Sequence, residues 1–192
     1  MKKIIFMAAM LLSSVATFAQ HEVGSITIQP KIGMNIADLT DVDDSDVRIG
    51  LAVGAEAEYQ ATDIFSVSAG LIYSMQGCKG SDDGVKETLK LDYINIPILA
   101  NVYVAKGLAV KLGIQPGFNI NAKYKAEAGG VEAEAKADDA KTIDLSIPVG
   151  ISYEYNNFVL DGRYNWGLTK VAKDLDWKNS VFQITLGYKF SL

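Results

Sequence analysis

The sequence predicts an all-β protein: an eight-stranded antiparallel up-and-down transmembrane β-barrel, preceded by a cleaved export signal. Three observations carry that reading. Eight stretches alternate large apolar with polar or small residues, their connections alternate long and short, and aromatic residues gather at the strand ends. Together these are the marks of a barrel with tight turns on one side of a membrane, longer loops on the other and an aromatic girdle at each interface.

The first nineteen residues read as a signal peptide. Lys2 and Lys3 form a positive start, Ile4 to Leu12 an apolar run, and Thr17-Phe18-Ala19 a small-x-small site that places the cut before Gln20. A spanning helix needs roughly 20 apolar residues, so this run is too short to be one. No cysteine lies near the cut, which excludes a lipoprotein anchor. Residues 20–192 then form one barrel domain.

Strands are expected near 25–38, 48–60, 64–76, 90–103, 108–122, 142–155, 158–168 and 180–190. In Phe182-Gln-Ile-Thr-Leu-Gly-Tyr-Lys-Phe190 every second residue is large and apolar, the period of a strand with one greasy face. The opposite faces carry Lys31 and Asn35, Glu56 and Glu58, Lys111 and Gln115, Asp144 and Glu154, Asp161 and Arg163, and Lys189. Periodicity alone does not say which face is inside, and a soluble lipocalin-type ligand-binding barrel would show the same alternation. The connections favour the membrane: 39–47, 77–89, 123–141 and 169–179 are long, whereas 61–63, 104–107 and 156–157 are short. So do two aromatic belts. Tyr59, Phe65, Tyr103, Tyr153, Tyr155, Phe158, Tyr188 and Phe190 flank the short turns. Tyr73, Tyr93, Phe118, Tyr164, Trp166 and Phe182 lie toward the long loops.

Two features strain the pattern. All four prolines (Pro30, Pro97, Pro116 and Pro148) fall inside expected strands, where each removes a ladder donor, so bulges or locally opened pairing are expected there. Leu89 and Leu91 have the wrong parity for the fourth strand, which points to a bulge or loop near Asp92.

Composition narrows the function classes. Without Lys2 and Lys3 the chain holds 16 basic and 23 acidic residues, a net charge of −7, which disfavours nucleic acid as a partner. Cys78 is the only cysteine, so neither an intramolecular disulfide nor a cysteine metal cluster can form. Small barrel hydrolases use a histidine base, and the one histidine, His21, precedes the first strand. No residue is therefore assigned a catalytic, cofactor-binding or metal-binding role, and no cofactor is expected. Asp41, Asp43 and Ser45 copy the start of a calcium loop, but Asp46 replaces its turn glycine and Ala52 its closing glutamate. The segment Ala126-Glu-Ala-Gly-Gly-Val-Glu-Ala-Glu-Ala-Lys-Ala137 alternates small apolar residues with charges around Gly129-Gly130. It reads as a hairpin that prolongs two strands beyond the membrane, with a short helix as the other reading.

Tyr93-Ile-Asn-Ile-Pro-Ile-Leu99, Val104-Ala-Lys-Gly107 and Gly113-Ile-Gln-Pro-Gly117 resemble the PorT-like group of small outer-membrane barrels. Val149-Gly-Ile-Ser-Tyr-Glu-Tyr155, Asp161-Gly-Arg-Tyr-Asn165 and Gly187-Tyr-Lys-Phe190 continue the likeness along nearly all of the mature chain. The resemblance implies an eight-stranded barrel in a Gram-negative outer membrane; the namesake is linked to a protein secretion apparatus. These motifs mark strand and turn positions and carry no functional residues across.

The expected protein is thus a monomeric, non-catalytic barrel in outer-membrane lipid, with both termini periplasmic. Its role is structural or one of surface interaction, with an extracellular or envelope protein meeting the long loops. A narrow channel or transporter and a secretion-apparatus component are the alternatives. Balanced inward charges and an interior just wide enough for side chains point to a plugged lumen.

Overall fold

The computed structural model describes residues 21–192 apart from 41, 43, 44, 83, 84, 130, 138 and 174. The expected export signal and its cut lie outside the described residues, as do Asp41, Asp43 and Asp44 of the acidic loop. Among the described residues there are eleven strands: β1 (Ile26–Thr40), β2 (Asp46–Thr62), β3 (Phe65–Asp82), β4 (Val85–Asn95), β5 (Ile98–Ala105), β6 (Leu108–Ala128), β7 (Val131–Lys136), β8 (Ile143–Tyr155), β9 (Phe158–Gly167), β10 (Lys178–Tyr188) and β11 (Phe190–Ser191). They make eight staves. β4 and β5 are two halves of one stave, β11 prolongs β10, and β7 runs back along β6 above the ring. Each neighbour pairs antiparallel, and β10 returns to β1 over Lys31–Thr40 and Lys178–Gly187, which closes the sheet. Closure satisfies backbone groups that would otherwise face hydrocarbon unpaired.

The apolar faces point outward. Ile32, Leu112, Ile151, Leu160 and Leu186 are each more than half exposed, whereas Asn35 and Asp161 are 0% exposed and Arg163 1%. A water-soluble barrel has the reverse arrangement, so the lipocalin reading fails on this point. Exposed aromatics ring both ends. Tyr153, Tyr155, Phe158 and Phe190 lie at the short turns, and Phe118, Tyr164, Trp166 and Phe182 lie toward the long loops. Phe158 and Tyr188 meet edge to face at 5.1 Å. Tyr93 and Tyr103 do not belong to these belts: both are buried inside the barrel.

Each proline sits at a break in at least one of its two ladders. Pro30 pairs with Ala55 on β2, but on its other side the ladder is interrupted between β10 and β11. Pro97 divides β4 from β5 one residue past the level of Pro116, whose carbonyl accepts a hydrogen bond from Ile96 N–H. Pro148 lies where the β6–β8 ladder skips from Leu112–Val149 to Gln115–Ser146. The missing donors are thus absorbed by opened pairing, as expected for proline in a sheet without edges. The short turn at Asn156-Asn157 has positive φ at both residues (48° and 69°), the twist that a two-residue hairpin demands.

One expectation needs correction. The segment 77–89 is not a loop, because β3 and β4 pair along it from Ile72–Asn95 to Asp82–Val85. The bulge expected near Asp92 is present, but β4 itself keeps its parity there. Leu89, Leu91, Tyr93 and Asn95 all face inward, and the irregularity lies on the partner strand, where β6 carries Ile120 as an extra residue between Asn119 and Asn121. The apparent parity break arose because the interior itself turns apolar at this end. Long connections on this side are therefore prolonged strands more than loops. β6 has 21 residues, about twice the roughly 9–11 that cross a bilayer.

The outward faces should respond sharply to charge. Leu112→Arg, on the exposed face of β6, should destabilise the barrel by about 2–4 kcal/mol, whereas Leu112→Phe should change stability little. Urea titration of protein folded into phospholipid vesicles measures both, and equal midpoints would contradict the lipid-facing assignment.

Candidate functional site

The interior is crossed by side chains at several levels. In its middle, Lys31 of β1 donates to Glu56 of β2 at 2.7 Å, and Lys111 of β6 donates to Asp161 of β9 at 2.7 Å. Arg163 joins the two pairs, donating through Nη1 to Glu56 at 2.9 Å and through Nε to Asp161 at 2.8 Å. Lys31 also lies 3.9 Å from Asp161. Strand alternation places all five on the inner face, and they tie β1 and β2 to β6 and β9 across the lumen.

Toward the short turns a second group forms around Lys189, which lies 2.9 Å from Glu58 and 3.0 Å from Glu154. The Tyr103 hydroxyl accepts a hydrogen bond from Lys189 and donates one to Glu58. His21, ahead of β1, meets Glu154 at 3.1 Å. Across both groups Lys31, Lys111, Arg163 and Lys189 balance Glu56, Glu58, Glu154 and Asp161, so the ionised residues named as lumen-facing come together as pairs. Asp144 is the exception. It accepts hydrogen bonds from Thr169 and Asn179, and no cation pairs with it among the described residues. Arg48 and Asp92, 3.8 Å apart, form a further buried pair that alternation could have flagged but did not.

Toward the long connections the interior changes character. Leu39, Cys78, Leu89, Leu91, Tyr93 and Val171 pack together, and Trp177 and Ala140 lie against them. The β9–β10 connection (168–177) folds over this cluster. Lys141 N–H donates to the Val171 carbonyl, Val171 N–H to that of Trp177, and Lys173 N–H to that of Asp139. Sequence reading missed the cluster because inward positions were expected to be polar. The residues that betray it, Leu39, Leu89 and Leu91, keep the inward parity of their strands.

Above the cluster the two arms of the expected hairpin are paired. β6 runs out to Ala128 and β7 returns, pairing from Ala128–Val131 to Lys123–Lys136. With β3 and β4 alongside, it forms a sheet that projects beyond the exposed apolar band. Its surface carries ion pairs: Glu134 with Lys90 at 2.6 Å and Lys123 at 3.3 Å, and Glu132 with Lys125 at 2.7 Å. These cations hold the Glu134 carboxyl below the usual carboxylate range. In the acidic loop Ser45 donates to Asp38 at 2.9 Å.

Buried ion networks punish the loss of one member more than the loss of a pair. Asp161→Asn leaves Lys111 and Arg163 short of negative charge and should cost about 3–5 kcal/mol. Adding Lys111→Met should recover part of that loss. Strictly additive urea midpoints across this cycle would mean that the network is not coupled.

The family model described as outer membrane protein beta-barrel domain matches residues 18–173. Comparison with curated proteins gives no match. Among solved structures the chain is similar to Ail, the attachment invasion locus protein of Yersinia pestis, at 16% identity and a TM-score of 0.51, covering 88% of this chain and 100% of that one. It is also similar to Neisserial surface protein A (NspA), at 16% identity and a TM-score of 0.50, covering 86% and 97%. At such identities the likeness speaks for the barrel fold alone. The family match, over most of the chain, makes this protein a member of the outer membrane protein beta-barrel domain family, an integral protein of the bacterial outer membrane.

Proposed function

We propose that this protein is a closed, non-catalytic barrel whose working part is the surface it projects beyond the membrane, where it meets an envelope or extracellular protein. The observation that carries this reading is the contrast between the two regions. Ion pairs and apolar packing cross the lumen from wall to wall. Beyond the band, β3, β4, β6 and β7 build a sheet far longer than crossing requires.

In this reading the chain is monomeric, and both termini lie in the periplasm. Leu192 N–H bonds to the Ile26 carbonyl and Gly24 N–H to that of Gln60, which places both described ends beside the short turns. Short turns face the periplasm in barrels of this kind. His21 as partner of Glu154, at that same end, supports a structural part for the one histidine. The PorT-like likeness of Tyr93–Leu99 and its companion motifs keeps a secretion-apparatus partner as the second reading, because it names a class of envelope partner.

Two measurements test the proposal. Purified protein in planar bilayers should give no steady ion-selective conductance, and a reproducible conductance whose selectivity changes with Lys111→Glu would make it a channel. Lys125 and Glu134 face each other, so replacing Ala126–Ala133 with an Asn-Gly turn joins them directly. That variant should still run faster on a gel unheated than boiled, and it should lose the crosslinks to envelope proteins that the intact chain forms in native cells. Unchanged crosslinks would remove the hairpin from the working surface.

A further inference from the structure

The apolar cluster at the long-connection end is more than a plug. Two cavities of about 340 and 330 Å³ flank it, and Leu89, Tyr124 and Trp177 line both. The two adjoin across these three side chains as lobes of one candidate cleft, and each falls in the range of roughly 300–1,000 Å³ typical of small-molecule sites. The lobes differ in chemistry. The first, beside the β1–β2 connection, is lined by Ser45, Lys79, Ser81 and Glu87. The second, beneath the β9–β10 connection, is lined mainly by apolar residues, Leu91, Val171, Ala172 and Leu175 among them, with Lys136 and Asp139 also in its wall.

A plug alone accounts for the buried residues, Leu91 at 1% exposed and Val171 at 3%. It does not account for the apolar surface left open above them, where Tyr124 and Leu175 are each about two-fifths exposed. Exposed apolar surface set in a concave, polar-rimmed site marks binding more than packing. The cleft is also preformed. Backbone hydrogen bonds fasten its roof, Lys141 to Val171 and Val171 to Trp177, both at 2.8 Å, and an Ala140–Ala172 bridge ties the roof to the segment after β7.

We propose that this cleft binds a small amphipathic molecule, its apolar chain in the lobe under Val171 and Leu175 and its polar head beside Lys79, Ser81 and Glu87. The assignment follows from a mainly apolar lobe and a more hydrophilic lobe side by side. A wholly apolar ligand would leave the charged rim of the first lobe without a partner, and a wholly polar one would leave the second lobe unfilled. The site goes beyond the protein-contact role proposed above and lies below the hairpin tip on which that role rests.

Octanoate is a suitable probe. The chain has two tryptophans, and Trp166 faces lipid, so Trp166→Phe leaves Trp177 in the cleft as the sole reporter. In phospholipid nanodiscs this protein should show a saturable change in Trp177 emission with octanoate, and equilibrium dialysis should show saturable retention above that of empty discs. Ala172→Phe, which fills the second lobe, should weaken both signals at least tenfold while the unheated gel mobility is kept. If that variant does not fold, Leu175→Glu, in the exposed roof, provides the same comparison. Retention no greater than that of empty discs would overturn the proposal. So would undiminished binding by a folded Ala172→Phe or Leu175→Glu protein. Neither result depends on the hairpin replacement, which leaves Lys136 to Trp177 in place.

Discussion

Every backbone N–H and C=O group at the depth of the hydrocarbon must find a partner inside the protein, and the pairing of β10 with β1 lets all eight staves meet that demand. Much else follows from closure. It leaves no edge on which a proline could sit without cost, and so each proline coincides with a local opening of a ladder rather than with a sheet border. It also fixes a narrow interior, and eight staves leave room for little more than their own side chains.

What fills that interior changes along the axis. Toward the short turns and in the middle, charges meet as cross-lumen pairs, and Arg163 bridges Glu56 and Asp161. Such pairs recover little more than the cost of removing charge from water. Their effect is to hold opposite walls at one spacing and register. Toward the long connections the ion pairs, apart from Arg48 with Asp92, give way to Leu39, Leu89, Leu91 and Tyr93, over which Val171 and Trp177 are laid. Outside the bilayer, water restores the usual rule that apolar groups pack inward. The chain obeys both solvents with a single alternation of side chains, by changing which residue type occupies the inward positions.

The same change of solvent explains the projecting sheet. Beyond the apolar band β3, β4, β6 and β7 are flanked by water, so charges gather on one face of the sheet and pair across strands, as Lys125 does with Glu132 and Lys90 with Glu134, while the other face carries mostly small apolar residues. Exposed pairs of this kind contribute little stability, typically about 0–1 kcal/mol each. Their arrangement suits a surface that must stay soluble while its strands remain paired. Below it, the cleft between this sheet and the β9–β10 connection lies where the greasy and the hydrated parts of the molecule meet.

The amino-acid sequence by itself determined the fold class, the strand count, the outward faces and the inward charges, because period two and turn chemistry are local properties. It also located the paired arms of the hairpin and the disturbance at the prolines. Which face was inside rested on connection lengths and aromatic belts, and two of those aromatics, Tyr93 and Tyr103, proved to point inward. Only the tertiary structure decided the partners. Alternation put Lys31, Glu56, Asp161 and Arg163 inside, but it could not tell that strands distant in sequence bring them within hydrogen-bond reach. Nor could it read Leu89 and Leu91, whose parity is anomalous only if the whole interior is polar. Their burial depends on a roof of Val171 and Trp177 contributed by a connection about eighty residues later, and that non-local packing leaves no periodic trace in the chain.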